Sequence, residues 1–264
     1  MFELLFDPMF RVPFVTGLLL APLAAIVGVY LRLRGEWLAA LAYAQIAAVG
    51  GLLAVMVHGP VMLGAVLGAG AVAVGKGLLR RAGNDHFAVL MVVGWGLAVE
   101  LASLSAHGEM LGHSLIDGQL YFVGHTQLVF TISVLLIGVL SFRWLSRRLL
   151  LARFFPDTFS GNNQADWPHH LVFDVLAVTT VAVATTTFGV MAAFALTLVP
   201  AWIAWGLARG WKMTLIVAAS LALGIYVMAF VAAIMLDQPF GPVLAILLGM
   251  ASGLRWLGRQ SFRS

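Results

Sequence analysis

The sequence predicts an all-α polytopic membrane bundle of about nine (eight to nine) transmembrane helices. Three observations carry that prediction. The 264 residues are 62% apolar and 10% charged, whereas a soluble domain carries about 25% charged and about 45–50% apolar residues. Mean hydropathy is +1.01. The apolar residues also fall into runs near the roughly 20 residues a helix needs to cross a bilayer. These runs lack the polar–apolar alternation of a transmembrane strand.

The elements follow in order within one transmembrane domain, residues 1–264. Residues 1–12, containing "FELLFDPMF", read as a short interfacial segment; no basic stretch precedes an apolar core there, so a cleaved signal peptide is not expected. The expected passes are Pro13–Leu31, Trp37–Val57, Val61–Leu79, Phe87–Leu104, Gln127–Leu145, Leu171–Thr186, Phe188–Leu207, Met213–Leu236 and Phe240–Trp256. Passes six and seven are the least separated, with only "TTTFG" (Thr185–Gly189) between them, so one of the two being short or broken stays open. In pass three, "GAVLGAGAVAVGKG" sets Gly64 and Gly68 four apart, a spacing that lets membrane helices approach closely.

Charge orients the bundle. Arg32 and Arg34 follow pass one; Lys76, Arg80 and Arg81 close pass three; Arg143, Arg147, Arg148 and Arg153 follow pass five. Arg209 and Lys212 follow pass seven, and Arg255, Arg259 and Arg263 follow pass nine. Of the fifteen basic residues only Arg11 lies on the other side. Basic loop residues stay cytoplasmic, so the N-terminus is expected outside and the C-terminus in the cytoplasm. The net charge of +4 is spread along the chain rather than gathered on one face, which argues against a nucleic-acid partner. Trp37, Trp144, Trp167, Trp202, Trp205, Trp211 and Trp256 all fall near predicted cytoplasmic ends, as an interfacial aromatic belt does.

Ionisable groups at membrane depth are costly and usually functional. Glu100, near the outer end of pass four, is the deepest; it either lines a permeation path or reaches the outer interface. Asp174 is expected at the cytoplasmic interface, and Lys76 can extend its stem to the same side. His169 and His170 also fall there. The extracellular segment 105–126, "SAHGEMLGHSLIDGQLYFVGHT" from Ser105, carries His107, Glu109, His113, Asp117 and His125 and no Lys or Arg. Imidazoles and carboxylates suit divalent metals, and an acidic mouth concentrates cations. The other reading is a solvated segment that docks a binding protein.

The chain has no cysteine, no G-x-x-x-x-G-K-[ST] phosphate loop, no G-x-S-x-G elbow and no H-E-x-x-H. It therefore reads as a membrane body without an engine of its own, not an enzyme. Ion gradients or a separate ATPase would have to drive it. The cytoplasmic loop 146–170 bears on that choice. Its "RFFPDTFSGNNQADWPHH" puts Pro156 where a first helical turn accepts proline and Asp157 where a carboxylate favours a helix N-terminus. Phe154, Phe155 and Phe159 would supply an apolar face, and Gly161 with Asn162 an end. A short docking helix and a plain solvated loop are both open on these residues alone.

Four stretches carry a resemblance. "DQPFGP" (Asp237–Pro242) is similar to a D-x-P-x-G-P motif that includes Asp237, Pro239, Gly241 and Pro242. "PDTFSG" (Pro156–Gly161) lies where a coupling helix is kept. "ALTLVPAWIAWGLAR" (Ala195–Arg209) has the aliphatic run ending in proline, here Pro200. "LAYAQIAAVGG" (Leu41–Gly51) lies where a G-D-x-L-(A/S)-H-A stretch opens the second helix. Together they resemble the zinc- and manganese-type ABC permeases, membrane subunits of bacterial metal importers, as a divergent member. The resemblance implies a homodimeric permease in the bacterial inner membrane that moves a divalent cation of the zinc, manganese or iron class by alternating access. It implies no cofactor bound by this chain, ATP and Mg²⁺ on a partner ATPase subunit, and a periplasmic or surface-anchored substrate-binding protein. Pro156, Asp157, Phe159 and Gly161 would couple to the ATPase; Tyr43, Gln45, Glu100 and Pro200 would line the path. One departure matters. The Asp and His of the fourth stretch fall at Ala39 and Tyr43, and neither replacement is a strong transition-metal ligand. An ion-coupled secondary carrier using Glu100, a non-metal or chelated substrate, or a non-transporting membrane partner are the alternative readings.

Overall fold

The computed structural model describes residues 8–78, 83–104, 106–118, 120–155 and 167–260. The described residues form ten α-helices and one 3₁₀ turn, with no strand among them. The helices are α1 (Pro8–Arg34), α2 (Ala39–Met56), α3 (Val61–Leu78), α4 (Asn84–Ser103), α5 (Ala106–Asp117), α6 (His125–Phe154), α7 (Trp167–Phe188), α8 (Val190–Leu207), α9 (Trp211–Leu236) and α10 (Phe240–Gln260). Each of the nine expected passes is a helix. Seven are long and apolar enough to cross a membrane, and the apolar parts of the other two, Val61–Gly77 and Phe240–Gly253, are shorter. The tenth, α5, lies in the stretch read as extracellular, where composition alone does not announce a helix.

The ends of these helices sort into two layers. At one end Phe14 of α1, Phe188 of α7, Tyr226 and Phe230 of α9 and Phe240 of α10 form one aromatic cluster, with ring centroids 5.1–6.4 Å apart. Aromatic pairs at such spacings attract beyond their burial. The Tyr226 hydroxyl donates to the Phe14 carbonyl at 3.1 Å. At the other end Tyr30 of α1 meets Phe142 of α6, Phe173 of α7 and Trp211 of α9. The Trp211 indole N–H donates to Ser146 Oγ at 3.2 Å, so this tryptophan anchors helices to one another rather than merely joining a belt.

Passes six and seven are two full helices separated only by Gly189, whose φ of 89° is open to glycine alone. The start of α7 and the end of α8 both lie beside the end of α1, so the chain crosses and returns. Arg34 reaches Asp174 of α7, and Arg32 shares a cleft with Trp202 of α8. The corner is tight: a Cβ on Gly118 would collide with the Phe188 carbonyl.

Helix α2 sits in the middle. It packs against α3, α4, α7 and α8, and its first turns are buried on every side. A helix that is apolar all round has to be. Its alanines and glycines let neighbours come close. A Cβ on Gly64 would overlap the Gly50 carbonyl, and one on Gly68 would lie 2.7 Å from the Ile46 carbonyl oxygen. The Gly64–Gly68 spacing is thus the seam between α2 and α3.

Candidate functional site

A cavity of about 500 Å³ opens between α2, α4, α5 and the start of α8. Its polar groups are Gln45 of α2, Ser103 of α4 and Glu109 of α5, with the Trp95 indole beside them; Ala48, Leu52, Leu115 and Met191 supply apolar wall. Ser103 is held by donating its hydroxyl to the Glu100 carbonyl at 2.8 Å. The position follows from the helices: α4 ends and α5 begins here, so the cavity lies in the half of the molecule that carries α5. Volumes of about 300–1,000 Å³ hold small ligands.

Toward the start of α2, beyond Gln45, the helix is packed solid. Tyr43 is fully buried, edge-on to Phe87 at 5.9 Å, and its hydroxyl has no hydrogen-bond partner among the described residues. Ala39, one turn further, is also fully buried.

The far end of α2 abuts four charges in a closed ring. Lys76 Nζ donates to Glu36 Oε2 at 2.6 Å and to Asp174 Oδ1 at 2.9 Å. Arg34 donates through Nη1 to the same Asp174 oxygen at 2.9 Å and through Nη2 to Glu36 Oε1 at 3.2 Å. The four side chains keep only 9–13% of their surface exposed. The Arg34 guanidinium also faces the Phe173 ring, 5.1 Å from its centroid. Two cations and two anions cancel, which is how charges are accommodated away from water. The ring joins α1, the α1–α2 link, α3 and α7. Asn84 fixes the same link: its side chain accepts from the Leu38 N–H at 3.2 Å and donates to the Gly35 carbonyl at 2.8 Å. Asp174 is therefore a buried ion-pair partner, and Lys76, at the same helix ends, is seated between two carboxylates. Glu36 and Arg34 have the spacing of an ordinary loop in sequence, and only the fold reveals their role.

The remaining site candidates are placed as follows. Pro200 is buried inside α8, which continues through it. Glu100 lies on the exposed side of α4 and outside the cavity lining. His107, Glu109, His113 and Asp117 all belong to α5, and His125 is the exposed first residue of α6. Among the described residues no group of three or more His, Cys, Asp or Glu is close enough to hold a metal ion. Pro156, Asp157, Phe159 and Gly161 lie outside the described residues, as does most of segment 1–12.

The motif at 237–242 turns the chain from α9 into α10. Asp237 ends α9 in the left-handed conformation, φ 50° and ψ 47°, which Asp tolerates better than most residues. The Gln238 N–H closes the helix end by donating to the Ala233 carbonyl at 3.0 Å. Pro239 follows, and Phe240 begins α10. The Asp237 carboxylate also acts on Tyr121. Burial, with that negative charge adding to it, pushes the Tyr121 phenol up to about 12.

Against known proteins, the family described as the ABC 3 transport family matches residues 6–252. The fold is similar to a chain in the structure of PsaBC from Streptococcus pneumoniae in complex with Fab, at TM-score 0.84 and 16% identity over 97% of this chain and 94% of that one. It is also similar to a transporter described as of the metal-chelate ABC type in an inward-facing conformation, at TM-score 0.72 and 14% identity over 97% of this chain and 88% of that one. No curated protein matches the chain in sequence.

Proposed function

Because the chain belongs to the ABC 3 transport family, whose members are membrane permeases, we propose that it is the membrane-spanning subunit of an ATP-driven importer for a divalent metal cation. The observation that carries this reading is the cavity with Gln45 and Glu109 in its wall, with a charge-neutral ring of Arg34, Glu36, Lys76 and Asp174 at the other end of α2. In this reading the cavity is the open side of a path shut at the ring, one half of alternating access.

The proposed orientation follows the basic residues. The end holding Arg34, Lys76 and Arg153 faces the cytoplasm, and the α5 end faces outward. A binding protein delivers the cargo to the α5 mouth. Glu109 draws the cation in, and Gln45 offers it an oxygen. The chain works as a homodimer in a bacterial inner membrane. Two ATPase subunits hold ATP and Mg²⁺ and grip the segment Pro156–Asn163. Closure of the ATPases separates α3 and α7 at Lys76 and opens the inner end. Ala39 and Tyr43 offer the ion no strong ligand on the way, so passage there rests on transient carboxylate contacts rather than tight coordination.

The test is ATP hydrolysis by the chain reconstituted with its cognate ATPase in lipid nanodiscs, titrated with zinc, manganese, iron and the binding protein loaded with each. Stimulation by a loaded binding protein that disappears in Asp157→Arg is the expected result. Two subunits that never associate would overturn the reading, and metal uptake into vesicles without ATP would put a secondary carrier in its place.

A further inference from the structure

A second concavity, about 840 Å³, lies at the opposite end from the cavity above, between the ends of α1, α6, α8 and α10. Two arginines reach it, Arg32 and Arg153, and three indoles frame it, Trp37, Trp202 and Trp205; no carboxylate is among its lining residues. Neither arginine has an ion-pair partner among the described residues. The walls are fixed. Arg255 stacks on the Trp202 ring at 4.1 Å and donates to the Trp202 carbonyl at 2.6 Å. Trp205 stands edge-on to Trp211 at 6.0 Å. Leu198 and Val199 add apolar wall.

We propose that this cleft binds an anionic phospholipid, its headgroup phosphate between Arg32 and Arg153 and an acyl chain along Leu198 and Val199. Three features commit it to a lipid. The lining among the described residues is a pair of cations with no carboxylate, which calls for a negatively charged guest. Guanidinium groups match phosphate oxygens in a fork geometry. The same lining carries indoles and aliphatic side chains beside those charges, which a free anion does not need and a lipid does. Basic pockets between membrane helices take anionic headgroups for this reason. The assignment to the cytoplasmic leaflet rests on the orientation proposed above; the binding itself does not. The site bridges the last residues of α6, immediately before the segment proposed to meet the ATPase.

The experiment is native mass spectrometry of the full chain released from nanodiscs of phosphatidylcholine doped with phosphatidylglycerol or cardiolipin. The expected result is retention of one anionic lipid per chain over phosphatidylcholine. Each basic residue near an anionic membrane surface contributes roughly a fivefold preference. Retention should therefore fall about fivefold in Arg32→Gln or Arg153→Gln and about thirtyfold in the pair. Both side chains lack ion-pair partners, so folding should survive, and an unchanged elution volume checks it. Should the double variant fail that check, each single variant carries the test alone. Equal retention of all lipids, retention unchanged in the variants, or displacement by millimolar inorganic phosphate would each overturn the proposal, the last in favour of a free-phosphate site. Loss of lipid on adding the ATPase subunit, with both arginines then protected from modification, would also overturn it in favour of a protein contact. A transport failure would leave these readouts unaffected, so the two proposals fail separately.

Discussion

Lys76→Met should be among the most damaging single substitutions in the chain. Lys76 faces both carboxylates of the ring, at 2.6 and 2.9 Å. Without it, Arg34 alone opposes Glu36 and Asp174, and a net negative charge remains where side chains are about nine-tenths buried. Breaking a buried ion pair by removing one partner costs about 3–5 kcal/mol, because the other charge is left uncompensated. For a chain of this size that corresponds to a fall in Tm on the order of 10 °C. The decisive comparison is with Lys76→Met/Asp174→Asn. That pair leaves Arg34 against Glu36 at 3.2 Å, one cation and one anion, and should cost only about 1–3 kcal/mol. The double variant should therefore be more stable than Lys76→Met alone by about 2 kcal/mol. Thermal unfolding of Lys76→Met, Asp174→Asn, the double variant and the native chain, in one detergent and followed by tryptophan fluorescence, measures it. Additive losses, or a Lys76→Met chain that melts with the native one, would refute the account of the ring as a mutually neutralising unit.

Three further expectations come from the packing. Gly64→Ala puts a methyl group into the Gly50 carbonyl and the Ala54 side chain, whereas Gly70→Ala meets nothing within 4 Å. The first should cost about 1–3 kcal/mol and the second should be neutral or slightly stabilising, read as the difference in Tm between the two. At the end of α9, Asp237→Gly should be tolerated while Asp237→Val should destabilise by about 1–2 kcal/mol, because φ is +50° there; loss of Asp237 charge rather than shape would make the two equal. Tyr121 should titrate near pH 12 by absorbance at 295 nm, identified by its absence in Tyr121→Phe, and earlier in Asp237→Asn. The folded phenol holds its proton longer than an unfolded one, so its contribution is complete below pH 10 and is lost as pH climbs through about 12.

Run length and residue type made the helices legible. Nine apolar stretches became nine helices because each is long enough to satisfy its own backbone, and the Gly64–Gly68 spacing announced a seam that α2 fills. The Gly189 corner was half legible: "TTTFG" marks a break, but only the return of α8 to the end of α1 shows that it divides two passes. Helix α5 was not legible as a helix, since its polar residues resemble those of a wet loop. The ring at Lys76 was the largest omission. Asp174 and Lys76 look like separate residues near an interface, and Glu36 carries no pattern. Their pairing depends on which helix ends meet, which no local periodicity records. The cavity was partly visible, through Gln45 and Glu109, while Trp95 and Met191 enter it only because α4 and α8 flank α2.

The ring also orders the making of the protein. Arg34 and Asp174 are 140 residues apart in the chain, Lys76 and Asp174 are 98 apart, and Lys76 and Glu36 are 40 apart. During synthesis, Arg34, Glu36 and Lys76 are in the bilayer before α7 exists, and that trio carries one positive charge too many. Only the arrival of Asp174, more than half way through translation, settles the account. A chain that ends before α7 therefore leaves one cation of the trio unmatched where the finished fold has none.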